Sequence, residues 1–285
     1  MRVSAVLGID VEPALMESWS RWLAPDPQPF LVGSPGSWRE CDDEGGMMTA
    51  ELEDTYRLWW GVERGSAVIW ISEVQFDRLP KRTRAALVRE QVSRRRGAVP
   101  TVCAWQDLLD GARLRSSGDG HRFVWWPSLL ASQTEQILSR VVSTRRLPSR
   151  HLEVDDEIWR RSEAVLPEAK RLGGTFPSGS TVNCFGSVME AAGAASAAVY
   201  DDVEPFEAWL ASACNAGGDT EQPGVVLVWR GRDGSPVHAA VTIGGGWGLE
   251  KPSKDWHSPF AVVTVADIMR MSRHPGERVE RHRIG

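Results

Sequence analysis

The chain has 285 residues, 42% hydrophobic and 25% charged, with a formal net charge of −5. That size and balance describe a folded protein of two modest domains or one large one; they exclude a disordered chain and give no reason to expect nucleic acid as a partner. Four cysteines (Cys41, Cys103, Cys184 and Cys214) form no CxxC pair, so no zinc site, no other metal site and no disulfide framework is expected, and a reducing cytoplasm fits. The first ten residues hold a short apolar run broken by Asp10, too short for a signal sequence, and no stretch reaches about 18 consecutive apolar residues, so no membrane partner is expected.

In chain order, residues 3–9 predict a strand and residues 13–23 a helix with Leu15, Trp19, Trp22 and Leu23 on one face. Residues 24–46, rich in Pro, Gly, Asp and Ser, predict a loop. Residues 54–63, with Tyr56, Leu58, Trp59 and Trp60, and residues 66–74, with Ala67, Val68, Ile69, Trp70 and Ile71, predict two strands of a hairpin turning at Arg64–Gly65. A basic helix over 81–96 turns Ala85, Leu87 and Val88 inward; its cations suit an anion or an acidic partner, or simply form a solvated face. Short strands at 100–104 and 122–126 and helices at 105–112 and 129–143 complete a Trp-rich α/β accessory domain over 1–148. Residues 149–177 predict a connecting helix and loop, with Pro167 breaking the helix and Gly173–Gly174 ending it.

Residues 178–285 predict a different architecture, a helix followed by an antiparallel meander, so the chain as a whole reads as α+β. Asn183 is a good N-cap, and Val188, Ala191, Ala192 and Ala195 follow at helical spacing. Cys184 then falls on the first turn, where unpaired N–H groups and the helix dipole favour a thiolate. The plainer reading of Cys184 is a small side chain packing the helix. An alanine-rich run continues to about Val199 and a helix spans 204–214. Strands follow at 224–229, 237–243 and 247–250, then a strand at 260–265, a helix at 266–272 and a polar strand or tail at 278–284 whose arginines read as a solvated edge.

His238 opens the second strand and Glu250 stands twelve residues later. A three-residue loop at 243–245 would set Thr242 opposite Gly246 and His238 opposite Glu250, on one face of the sheet. A two-residue loop would slip the register by one and turn Glu250 to the other face, unless a glycine-supported bulge restored it. With both on one face, Glu250 accepts a hydrogen bond from one imidazole nitrogen and leaves the other for Cys184, the nucleophile, base and orienter logic of a thiol triad. Lys251, Ser253, Asp255 and His257 lie close behind as other third members.

The order and spacing of Asn183-Cys184-Phe185-Gly186, Pro223-Gly224-Val225, Val237-His238-Ala239 and Glu250 resemble the NlpC/P60 group of papain-like cysteine peptidases over about residues 178–255. The chain departs from the family pattern at Asn183 and Val225, where Asp is usual, at Phe185, where Ser is common, and at Glu250, where His, Asn or Gln is more frequent. The resemblance implies a papain-like catalytic domain, with Cys184, His238 and Glu250 as catalytic residues. Asn183, Phe185, Trp247 and Trp256 are the residues expected to meet substrate. The implied activity is a cysteine hydrolase (peptidase or amidase) or acyltransferase, acting on a peptide or small amide or ester without a cofactor. The contrasting expectation is a catalytically silent papain-like scaffold carrying a Trp-rich binding module.

Overall fold

In the computed structural model, which describes residues 4–33, 38, 43–62, 65–180, 182–194 and 203–285, the chain opens on a hairpin. The expected first strand is two, β1 (Ser4–Val6) and β2 (Ile9–Val11), paired antiparallel. Their turn, Leu7–Gly8, has positive φ at both residues, a conformation that Leu does not advertise in sequence. Compactness divides the chain into Glu12–Val141 and a unit joining Met1–Val11 to Val142–Gly285.

The Glu12–Val141 unit starts with α1 (Pro13–Leu23), as the apolar spacing and Pro13 at the helix start predict. The region read as loop contains a fully buried strand, β3 (Gln28–Val32). Residues 54–62 are not a strand. They lie in and between α2 (Ala50–Tyr56) and α3 (Leu58–Val62), and residue 63 lies outside the described residues. Thr49 caps α2 by accepting from the Leu52 N–H, and Glu51 and Glu53 favour its first turn. β4 (Ala67–Ile71) therefore pairs with β3 and not with its expected neighbour.

Helices α4 (Glu73–Arg78) and α5 (Lys81–Ser93) follow; α5 buries Ala85, Leu87 and Val88 as expected. Arg96, beyond its end, is no surface cation. It is 4% exposed, stacks over Tyr56 at 4.0 Å and donates to the Pro29 carbonyl and the Gln28 amide oxygen. Residues 102–104 form a single 3₁₀ turn, and α6 (Gly111–Ser116) replaces the helix expected at 105–112. Residues 122–126 contribute only isolated bridges to Thr101 and Gly118, and α7 (Pro127–Leu130) and α8 (Thr134–Ser143) divide the expected last helix. The unit is accordingly helical around one two-stranded sheet, where the sequence suggested α/β.

In the second unit, α9 (Asp156–Ser162) and α10 (Ala169–Leu172) flank the break predicted at Pro167. α9 packs on the sheet, so it is part of the unit and not a bare connector. α11 (Cys184–Ala191) and α12 (Val203–Ala213) lead into β5 (Cys214–Ala216), β6 (Pro223–Arg230), β7 (Pro236–Gly244), β8 (Trp247–Glu250) and β9 (Ala261–Thr264). Then come α13 (Val265–Met271) and β10 (Arg278–Ile284). Thr181 and the alanine-rich residues 195–199 lie outside the described residues.

The order of the six strands is β5-β10-β6-β7-β8-β9, every pair antiparallel. The C-terminal strand is therefore interior and not an edge. Its polarity is tolerated because Arg230 on β6 pairs with Glu280 and also with Glu207. One sheet face (Val226, Val228, Ala239, Val241, Leu249, Val262) packs with α11; the other (Val225, Leu227, Trp229, Ala240, Ala261, Val263) packs with Ile268 of α13. Among the described residues no helix is long and apolar enough to cross a membrane.

The β7–β8 turn fixes the register that matters most. Gly245 and Gly246 are its central residues, with φ of 59° and 77°, as a two-residue type I′ turn requires. A Cβ at Gly246 would meet nothing closer than the Glu221 carboxylate at 3.9 Å, so the cost of a side chain there is conformational. Gly246→Ala is expected to destabilise the protein by roughly 1–2 kcal/mol, and Gly246→Asn by clearly less because Asn tolerates the left-handed region. Thermal denaturation checks this, and equal losses for the two variants would contradict the assignment.

Candidate active site

Asn183 caps α11 with its side-chain oxygen, which accepts from the Gly186 N–H at 2.8 Å. This cap starts the helix at Cys184, as the sequence suggests, and removes one of the unpaired N–H groups from the helix end. Cys184 is 8% exposed and in contact with the apolar core under α11.

The turn between β7 and β8 realises the bulge alternative. Gly244 pairs with Trp247, and a register shift between Thr242 and Gly244 restores parity, so that Thr242 faces Gly248 and Ala240 faces Glu250. The three-residue loop is not formed, and His238 does not lie directly opposite Glu250. The net slip is two residues, which preserves the face. His238 and Glu250 are diagonal neighbours, a separation that long side chains span. The ring Nε2 of His238 is 3.4 Å from Glu250 Oε2. The contact is long for a hydrogen bond.

Cys184 is close enough to act on the ring, since hydrogen bonding and charge from its side chain are among the causes that raise the His238 pKa. Strand alternation places His238 on the Trp229 face, and the two rings lie 5.1 Å apart. A second bulge lies beside His238. Trp229 pairs with His238 but Arg230 pairs with Pro236, leaving Val237 as the extra residue immediately before the histidine. Bulges bend the strand and re-aim the adjacent side chain.

Burial by itself would push the His238 pKa down. Hydrogen bonding and charge from Cys184 and Glu250 outweigh it and raise the pKa from 6.5 to about 9. The site thus favours the imidazolium form, as a thiolate–imidazolium pair requires.

Of the residues expected to meet substrate, Asn183 is engaged as the helix cap. Phe185 is 7% exposed and stacks on Phe206 at 4.7 Å. Trp256 is 1% exposed, with its backbone N–H donating to Ser180 Oγ at 3.1 Å. Phe185 and Trp256 therefore pack the interior and do not wall a cleft. Trp247 is half-buried, with Arg150 over its ring at 4.8 Å.

The other third-member candidates serve the loop after β8. Buried Lys251 donates to the carbonyls of Ser253 and Asp255. Ser253 Oγ donates to Asp255 Oδ2 at 2.9 Å, and Asp255 lies 3.8 Å from His257. Sequence reasoning did not single out Trp229. Its signal was its place on the strand paired with the one that carries His238. Among the described residues no group of three or more His, Cys, Asp and Glu side chains is arranged to hold a metal ion. No family model, curated protein or solved structure matches the chain.

Because the folded-state pKa of His238 lies above its ordinary value, folding favours the proton. The resulting stability is complete below pH 6.5 and is lost as pH rises through about 9. The difference in unfolding free energy between the wild type and His238→Gln should shrink across that window in chemical denaturation; a difference that grows with pH would contradict the site. Glu250→Gln should lower the imidazole pKa by about 1–3 units, read by NMR titration of the ring, and an unmoved titration would remove Glu250 from the site.

Proposed function

We propose that this chain is a thiol-dependent acyl-transfer enzyme, with Cys184 as nucleophile, His238 as general base and acid, and Glu250 as the group that orients His238. The reading is supported chiefly by the His238 ring, which meets Glu250 through Nε2 and whose pKa is raised by both Cys184 and Glu250. A helix-start cysteine, a histidine on the adjacent strand and an acid on the next strand occur here in the order of NlpC/P60-like peptidases. A papain-like fold for the Val142–Gly285 part is proposed with it.

The chemistry follows from the groups. Glu250 holds the Nε2–H, which leaves Nδ1 to take the Cys184 proton. The thiolate attacks an amide or ester carbonyl carbon, and the developing oxyanion meets the N–H groups at the start of α11. His238 returns the proton to the departing amine or alcohol, leaving a thioester on Cys184. Water or an amine then attacks the thioester, gives its proton to His238 and releases the thiolate.

The test is acylation by a p-nitrophenyl ester, followed by intact mass and peptide mapping. One acyl group should appear on Cys184 in preference to Cys103, although Cys103 is exposed and Cys184 is buried. Cys214, whose pKa burial pushes up to about 11, should stay unmodified. His238→Ala should slow acylation by about 100-fold or more. Acylation that follows exposure, with Cys103 first, would leave the catalytically silent scaffold as the better account.

A further inference from the structure

His238 and Glu250 also form part of the wall of a cavity of about 400 Å³ within the Val142–Gly285 segment, a volume typical of small-ligand sites. Leu147, Ala261 and Val263 give it an apolar surface. Val237 and Met271 line it too, although they are 48% and 42% exposed. Single exposed apolar side chains are unremarkable, but two on one cavity suit an apolar ligand body.

The polar lining has both signs. Arg146 is engaged with the Val142 carbonyl at 2.9 Å and lies 4.0 Å from Asp255. Arg145 is exposed and is held at φ 59°, a conformation that costs a non-glycine residue about 1–2 kcal/mol. Glu277 lines the same cavity, and its Oε2 is buried with no hydrogen-bond partner. A buried carboxylate oxygen left without a donor is costly, and such an atom in a native fold calls for a ligand or water to satisfy it. A purely anionic occupant would be opposed by Glu277, and a purely cationic one by Arg145. A zwitterion satisfies both.

We propose that this cavity binds a free α-amino acid or dipeptide with an apolar side chain. The ammonium group donates to Glu277, the carboxylate accepts from Arg145, and the side chain rests among Leu147, Val263 and Met271. The cavity shares His238 and Glu250 with the site proposed for acyl transfer, but recognition by Glu277 and Arg145 does not rest on that activity, and its test needs no turnover.

Calorimetry and thermal-shift titration of the full chain with L-leucine, L-leucyl-L-leucine, N-acetyl-L-leucine and L-leucinamide test it. At least one of the two unblocked ligands should bind saturably, and both blocked leucines about tenfold or more weakly. Glu277→Gln should erase the preference over N-acetyl-L-leucine. Arg145→Gln, at an exposed position where folding is not at risk, should erase the preference over L-leucinamide. Absence of saturable binding by both unblocked ligands, equal binding of the blocked ones, or a preference unchanged in either variant would overturn the proposal.

Discussion

The diagonal pairing of His238 with Glu250 is the constraint on which the rest of the site depends. A strand has a side-chain period of two, so any odd slip between β7 and β8 would move Glu250 to the far side of the sheet. The Gly245–Gly246 turn would impose such a slip, and the bulge between Thr242 and Gly244 compensates for it. Three consecutive glycines with positive φ are therefore tied to the His238–Glu250 contact although none of them takes part in it. The bulge at Val237 serves the other end of the same strand, next to the imidazole.

This arrangement explains why the His238 pKa is raised despite its burial. Two acidic partners act on one ring, and their combined attraction exceeds the desolvation that opposes it. Trp229 packs against one side of the ring, and the low local polarity there strengthens the same attractions. The N-cap at Asn183 completes the geometry from the helix side by setting where α11 begins, and hence where the thiol stands.

The C-terminal half was more legible in sequence than the first because its signals are periodic and punctuated. Pro223, the Arg230–Ser235 turn residues and the glycine triplet delimit β6, β7 and β8, and Asn183 marks the start of α11. Even the choice between loop lengths reduced to a question of parity, though sequence alone did not decide it. The Trp-rich run at 54–63 misled because Tyr, Leu and Trp fit a strand and a short helix equally, and the deciding residue was Thr49, outside the run. β3 was hidden by its Pro and Gly flanks. β10 gave a weak apolar signal because only Val279 and Ile284 pack on the cores, while its backbone pairs with β6 and β5 on either side. Phe185 and Trp256 illustrate the same limit at the site: nearness to Cys184 or Glu250 in sequence does not say which way a ring turns.

The account stands or falls on whether Cys184 and His238 act as one ionised pair. The most direct measurement is the rate of Cys184 alkylation by iodoacetamide against pH, resolved by peptide mapping. The account predicts rapid alkylation of Cys184 already near neutrality, ahead of exposed Cys103, with an inflection near pH 9 where His238 loses its proton; that inflection should disappear in His238→Ala. A single rise centred near the ordinary thiol pKa of about 8.5, unchanged in His238→Ala, would contradict it.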